Sequence, residues 1–183
     1  MVWGWLALMT AEFLAPVWLK ARPVLYLVSH MAIMPLIDLF VTAVEWLPHS
    51  SAPAAGLWLF LAMSFANGCV LEIGRKLYAP ANEREGVETY SALYGPRRAA
   101  EFWMVWLTAS FILLACVGGV MGFGLPIFVL GLLAYAAAIS CALRYRTEPN
   151  HQAQKRMDGV AGLWVFACYA LAGFAPLLLG AMR

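Results

Sequence analysis

The run Gly124-Leu125-Pro126-Ile127-Phe128-Val129-Leu130-Gly131-Leu132-Leu133-Ala134-Tyr135-Ala136-Ala137-Ala138-Ile139-Ser140-Cys141-Ala142-Leu143-Arg144-Tyr145 carries no charged residue before Arg144. A helix rises 1.5 Å per residue and the hydrocarbon of a bilayer is about 30 Å thick, so one crossing needs roughly 20 apolar residues. This run meets that length. Outward from it, further apolar runs lie near Val2–Leu19, Val24–Leu47, Ala54–Leu77, Arg97–Val120 and Gly159–Met182. The breaks between them carry Pro and Gly punctuation: Ala21-Arg22-Pro23, Pro48 through Pro53, Gly95-Pro96 and Gly118 through Gly124. The composition agrees, being 63% hydrophobic and 12% charged, with a mean hydropathy of +0.76. Soluble domains carry about twice that share of charge, and a chain this short has no core large enough to hide the excess. The sequence predicts an all-α, polytopic transmembrane bundle of about six spans, a single domain over residues 1–183.

Pro16, Pro35, Pro126 and Pro176 fall inside the runs and predict kinks. Trp3, Trp5, Trp18, Trp46, Trp58, Trp103 and Trp106 lie towards run ends, where an interfacial aromatic belt is expected. Cys69, Cys116, Cys141 and Cys168 each sit alone in an apolar run, which predicts small core residues rather than a zinc or redox site. The first run has no basic stretch before it, unlike a secretory signal. A net charge of +2 gives no reason to expect nucleic acid as a partner.

The charges are unevenly spread. The first loop holds Lys20 and Arg22; the third holds Arg75, Lys76, Arg84, Arg97 and Arg98; the fifth holds Arg144, Arg146, Lys155 and Arg156. Those alternate loops take 11 of the 12 basic residues. Basic loops stay cytoplasmic, so loops one, three and five are expected inside a plasma membrane, with both termini outward. Within the spans, His30, Asp38, Thr42 and Glu45 share one helix face, and Ser64, Gly68, Glu72 and Arg75 share another, with Asn67 at its border. Intramembrane polar groups face the protein interior, so the two stripes imply either a cavity or a hydrogen-bonded packing seam.

The third loop, residues 72–98, is the most crowded with charge and is the candidate site. Glu72, Asn82, Glu83, Glu85 and Glu88 offer hard oxygen ligands of the kind Mg²⁺ takes beside substrate phosphate. Arg75, Lys76, Arg84, Arg97 and Arg98 offer charge that phosphate oxygens accept. The two sets together suit a metal-bridged diphosphate. They also suit a solvated loop whose bases obey the orientation rule and whose acids balance them.

Gly86-Val87-Glu88-Thr89-Tyr90-Ser91-Ala92-Leu93-Tyr94-Gly95, followed by Pro96-Arg97-Arg98-Ala99, resembles the second aspartate-rich loop of the UbiA superfamily of intramembrane prenyltransferases. Asn67-Gly68 through Arg75-Lys76 resembles the helix end feeding that loop, and Asn82 stands where the family commonly has an aspartate. The resemblance covers about 35 residues well. It implies a nine-helix fold with acidic motifs after its second and sixth helices, an isoprenoid diphosphate held through Mg²⁺, and prenyl transfer to an aromatic or other lipophilic acceptor. On this basis Glu72, Arg75 and Lys76 are expected to be catalytic. Asn67, Arg75, Lys76 and Arg84 are expected to bind the diphosphate, and Asn82, Glu83 and Glu85 to hold the metal.

This chain departs from the family in length and motif. Six runs match the C-terminal two thirds of such a fold, and no Asn-Asp-x-x-Asp occurs. Either the chain is a UbiA-like prenyltransferase or a fragment of one that lacks the first three helices, or it is a non-catalytic membrane subunit or truncated, inactive homologue that uses the charged loop to dock a partner. A transporter is disfavoured, because no inverted repeat or paired broken helices are evident.

Overall fold

A computed structural model describes the backbone of residues 1–180, with the side chains of 175, 176, 179 and 180 left aside; Pro176 and the end of the sixth run at Met182 therefore lie outside the description. Among the described residues all regular structure is helical. Five helices among the described residues are long and apolar enough to cross a membrane. The first consists of α3 (Pro23–Met31) and α4 (Ile33–Trp46), joined through Ala32; α5 (Leu57–Arg75), α7 (Pro96–Val120), α8 (Gly124–Thr147) and α9 (His151–Gly180) are the others. A short α6 (Tyr90–Tyr94) sits between α5 and α7.

The sixth expected crossing, at the N-terminus, is interrupted. It consists of α1 (Val2–Thr10) and α2 (Pro16–Lys20), separated by a tight turn in which Glu12, Phe13 and Leu14 have φ of 46°, 53° and 60°. The cause is Pro16. It has no amide proton to give to the carbonyl of Glu12, and its ring drives Ala15 out of helical geometry, to φ −139° and ψ 55°. Neither nine nor five helical residues reach across a bilayer. The ends of the segment nevertheless lie at opposite ends of the bundle. Met1 and Trp3 border a groove with Trp46 and Trp58, and Lys20 borders a cleft with Lys76 and Glu88. Pro35 and Pro126 disturb less, because both fall in the first turn of their helices, where an amide has no partner to lose.

The core is built around α5, which packs on α3, α4, α7 and α9. Small residues permit this. A Cβ on Gly74 would come within 2.5 Å of Ala161 Cβ and 3.0 Å of Trp103 Nε1, and one on Gly68 within 2.9 Å of Met34 Cγ. Trp103, expected in the interfacial belt, is instead fully buried and donates Nε1–H to the Val70 carbonyl at 2.8 Å. A chain of buried polar groups crosses the core: Trp164 Nε1 donates to Ser110 Oγ at 2.9 Å, and Ser110 Oγ donates to Asn67 Oδ1 at 2.6 Å. The second seam is closed by Tyr169, whose hydroxyl lies 2.8 Å from Asp38 Oδ2 and 2.9 Å from Ser64 Oγ. The facing stripes are thus joined by hydrogen bonds that hold helices together. Thr42 bonds its own helix and Glu45 is exposed, so neither adds to a cavity. Cys69 and Cys168 are core residues, but Cys116 is exposed and Cys141 half-buried.

Candidate functional site

The loop after α5 is folded back on the bundle rather than free. The helix ends at Arg75 because Lys76 takes φ −107° and ψ 22°. The Lys76 carbonyl then accepts from Tyr90 N at 3.1 Å, and Ser91 Oγ accepts from Tyr78 N at 2.7 Å, so the two ends of the loop are tied together. Thr89 starts α6 as an N-cap, its Oγ1 accepting from Ala92 N at 3.0 Å. Gly95, at φ 78°, turns the chain from α6 into α7, a backbone conformation that glycine adopts without the steric penalty of a Cβ.

From outside, α8 and α9 clamp the loop. Tyr145 Oη donates to the Tyr78 carbonyl at 2.6 Å. Gln154 Oε1 accepts from Ala79 N at 2.9 Å and from Asn82 Nδ2 at 2.7 Å. Asn82 Nδ2 also lies 2.9 Å from His151 Nδ1.

Two polar clefts flank this loop. One, about 70 Å³, gathers Lys20 from the broken N-terminal segment, Tyr26 from α3, Lys76 from the end of α5, and Glu88, Thr89 and Tyr90 from the loop. Lys76 Nζ pairs with Glu72 Oε1 at 2.7 Å, and Lys20 Nζ with Glu12 Oε1 at 3.0 Å. The hydrogen bond to Glu12, followed by the charge of Glu12, holds the Lys20 ammonium above its ordinary 10.5. Burial, then the charge of Glu72, pushes the Tyr90 phenol upward, so it stays neutral in the cleft. The other cleft, about 410 Å³, is lined by Tyr78, Asn82, Glu83, Arg84, His151 and Gln154. Thr89 links the two, since its Oγ1 donates to Glu83 Oε2 at 2.7 Å.

The expected site residues are therefore divided. Lys76 lines the first cleft and Glu72 is paired with it from outside the lining, whereas Asn82, Glu83 and Arg84 line the second. Arg75 and Glu85 are exposed and border neither cleft. Asn67 is fully buried in the core, bonded to Ser110, and borders neither. The expected metal trio does not form a cage. Asn82 directs its NH₂ at α9, and among the described residues no three His, Cys, Asp or Glu side chains gather to hold a metal ion. Glu83 alone offers something, because its Oε1 is buried without a hydrogen-bond partner while Oε2 is held by Thr89. Lys20, Tyr26, His151 and Gln154 were not anticipated at the site, and Thr89 and Tyr90 lay in the candidate loop without an assigned role. Lys20 stood out in the sequence only as a loop base, and nothing in its spacing linked it to Lys76, 56 positions away.

Compared with protein-family models, with curated proteins and with solved structures, the chain matches none. The resemblance to the UbiA superfamily thus rests on the loop residues alone.

Proposed function

We propose that the chain forms the diphosphate-gripping end of a UbiA-like prenyltransferase, binding an isoprenoid diphosphate at the cytoplasmic face of the plasma membrane for transfer to a lipophilic acceptor. The observation that carries this reading is the meeting of Lys20 and Lys76 in one cleft with the side chains of Glu88, Thr89 and two tyrosines. Two ammonium groups come here from opposite parts of the chain, each paired with a carboxylate, Lys20 with Glu12 and Lys76 with Glu72. An incoming phosphate is bound by exchange of those partners, and charge-assisted bonds to its oxygens are stronger than neutral ones. The cleft is sized for a phosphate group rather than a prenyl chain. An apolar hollow of about 370 Å³, lined by Val24, Leu25 and Val28 and sharing Pro23 with the cleft, suits the tail. The aromatic faces of Tyr26 and Tyr90 suit the allylic cation left as diphosphate departs. The orientation follows from charge, since the ends of helices at Pro23, Arg75, Pro96, Thr147 and His151 share the basic side.

In this reading Mg²⁺ arrives as the counter-ion of the diphosphate; Glu88 lines the same cleft and is the carboxylate to meet it, while Glu83, in the other cleft, is connected to it through Thr89. The lysine grip does not depend on the ion. The test is binding of farnesyl diphosphate to the chain in nanodiscs, with and without Mg²⁺. Lys76→Gln is expected to weaken binding about tenfold or more, the scale of one hydrogen bond to a charged group. Arg75→Gln, outside both clefts, is expected to change it little. Equal loss from both variants, or no binding by the unaltered chain, rejects the assignment.

A second reading is supported by Asn82. Where the resemblance expects an acid, this residue is a strut between the loop and α9. That use suits a non-catalytic subunit whose loop is a rigid docking surface. Co-purification with a partner protein, together with failure to bind farnesyl diphosphate, would select it.

A further inference from the structure

A third polar hollow, of about 350 Å³, lies between the end of α8 and the start of α9, apart from both clefts above. It is lined by Arg144, Glu148, Asn150, Gln152 and Arg156, among others. Neither guanidinium has an ion-pair partner among the described residues, although the neighbouring Arg146 is paired with Glu101 at 3.0 Å. The one carboxylate in the lining, Glu148, leaves an excess of positive charge. Asn150 uses its Oδ1 to accept from Ala153 N at 2.9 Å, so its NH₂ remains a donor. The hollow thus presents two unpaired planar cations and an amide donor, a set that suits the oxygens of a phosphate.

Its position narrows the ligand. Thr147 ends one crossing helix and His151 begins the next, so the hollow sits at headgroup depth. Towards the membrane from Arg144, Ser140, Ala137 and Leu133 lie within about 40° of it around α8. All three are exposed. On α9, Gly159 and Leu163 lie within about 60° of Arg156, and both are exposed. Space beyond Gly159 is open, since a Cβ there would meet nothing within 4 Å. The two guanidinium groups therefore stand at the head of exposed apolar tracks on adjacent helices. A free phosphate would use only the first feature, whereas an anionic phospholipid uses both.

We infer that the hollow between α8 and α9 binds an anionic phospholipid, its phosphate between Arg144 and Arg156 and its acyl chains along the exposed faces of the two helices. The site is independent of the diphosphate cleft and stands whether or not that reading holds.

The experiment is lipid exchange into the detergent-purified full chain, read by native mass spectrometry, with phosphatidylglycerol against phosphatidylcholine. The chain is expected to retain one phosphatidylglycerol in preference to phosphatidylcholine. Arg144→Gln and Arg156→Gln are each expected to weaken retention about fivefold, and the pair about 30-fold, following about one unit of surface attraction per basic residue. Arg98→Gln, an exposed base on another helix, is expected to leave it unchanged. Both positions are exposed, so the single variants fold and decide the matter even if the double variant does not. Millimolar inorganic phosphate is expected not to displace the lipid. Displacement by phosphate, equal retention of the two lipids, or equal losses from Arg98→Gln and Arg156→Gln would each overturn the proposal.

Discussion

The central helix α5 and the first long apolar helix, Pro23–Trp46, are of similar apolar character, yet their most apolar 18-residue stretches are 56% and 11% buried. The difference lies in side-chain size and in polar partners. Helix α5 places glycines where α3, α4, α7 and α9 come close, and its Asn67 and the carbonyl of Val70 are tied across to α7. Without a hydrophobic force between helices inside a bilayer, close packing and cross-helix hydrogen bonds decide which helices form a core. The N-terminal region has fewer of either. It carries the broken segment instead, and with it the lysine that completes the candidate site. The rigid half fixes Lys76; the loosely held half brings Lys20 to it.

The contrast predicts where substitutions hurt. Gly74→Val should have the largest effect, because even a bare Cβ meets Ala161 and Trp103 from two different helices. We expect loss of about 3 kcal/mol or more, or failure to fold, measured by thermal unfolding in detergent. The same change at Gly4, where a Cβ meets nothing within 4 Å, should be nearly silent. Ser110→Ala should follow, at about 1–3 kcal/mol, since it strands both the Trp164 N–H and the Asn67 carbonyl oxygen in the core. Tyr169→Phe should cost less overall, about 1 kcal/mol, but should act on the boundary between the two halves. Its hydroxyl joins Asp38 of α4 to Ser64 of α5, so hydrogen exchange should rise over Ile33–Trp46 and stay unchanged over Pro96–Val120.

The smallest effect should have the opposite sign. Leu14 is 82% exposed and held at φ 60°, so Leu14→Gly relieves a strained backbone at little packing cost. A gain of about 1 kcal/mol in local stability is expected, read as slower exchange over residues 11–20. If Leu14→Gly instead loosens that segment, the left-handed turn is not the state that brings Lys20 to the cleft. The Lys20–Glu12 pair adds a pH signature. Because the Lys20 pKa is raised, the contribution of the pair is complete below pH 10.5 and is lost as pH rises through the folded value, so exchange over Pro16–Lys20 should quicken there.

Much of the architecture was legible because bilayer thickness makes helix length a strong signal. The five described helices long and apolar enough to cross a membrane, and the loops between them, coincide with apolar runs and Pro/Gly breaks. The interruption at Pro16 was visible as a proline but not as a break, since hydropathy does not distinguish a kink from three residues at positive φ. Trp103 looked interfacial by position, yet a tryptophan that can give its N–H to a carbonyl also suits a core. At the candidate site, Glu72 and Lys76 were legible as loop charges with separate roles, and their pairing across one helical turn is a finding of the structure. The partnership of Lys20 with Lys76 was not, because it depends on how the N-terminal segment lies against the bundle. The choice between metal ligand and strut for Asn82 was equally hidden, being set by Gln154 and His151 some 70 positions away.

In the proposed site the N-terminal segment delivers a cation to the loop, and Lys20→Gln removes that cation alone. Titrated with farnesyl diphosphate in nanodiscs, the variant should bind about tenfold more weakly than the unaltered chain, matching Lys76→Gln, with its fold intact by thermal unfolding. Affinity unchanged by Lys20→Gln, while Lys76→Gln lowers it, would mean that the two lysines do not serve one site.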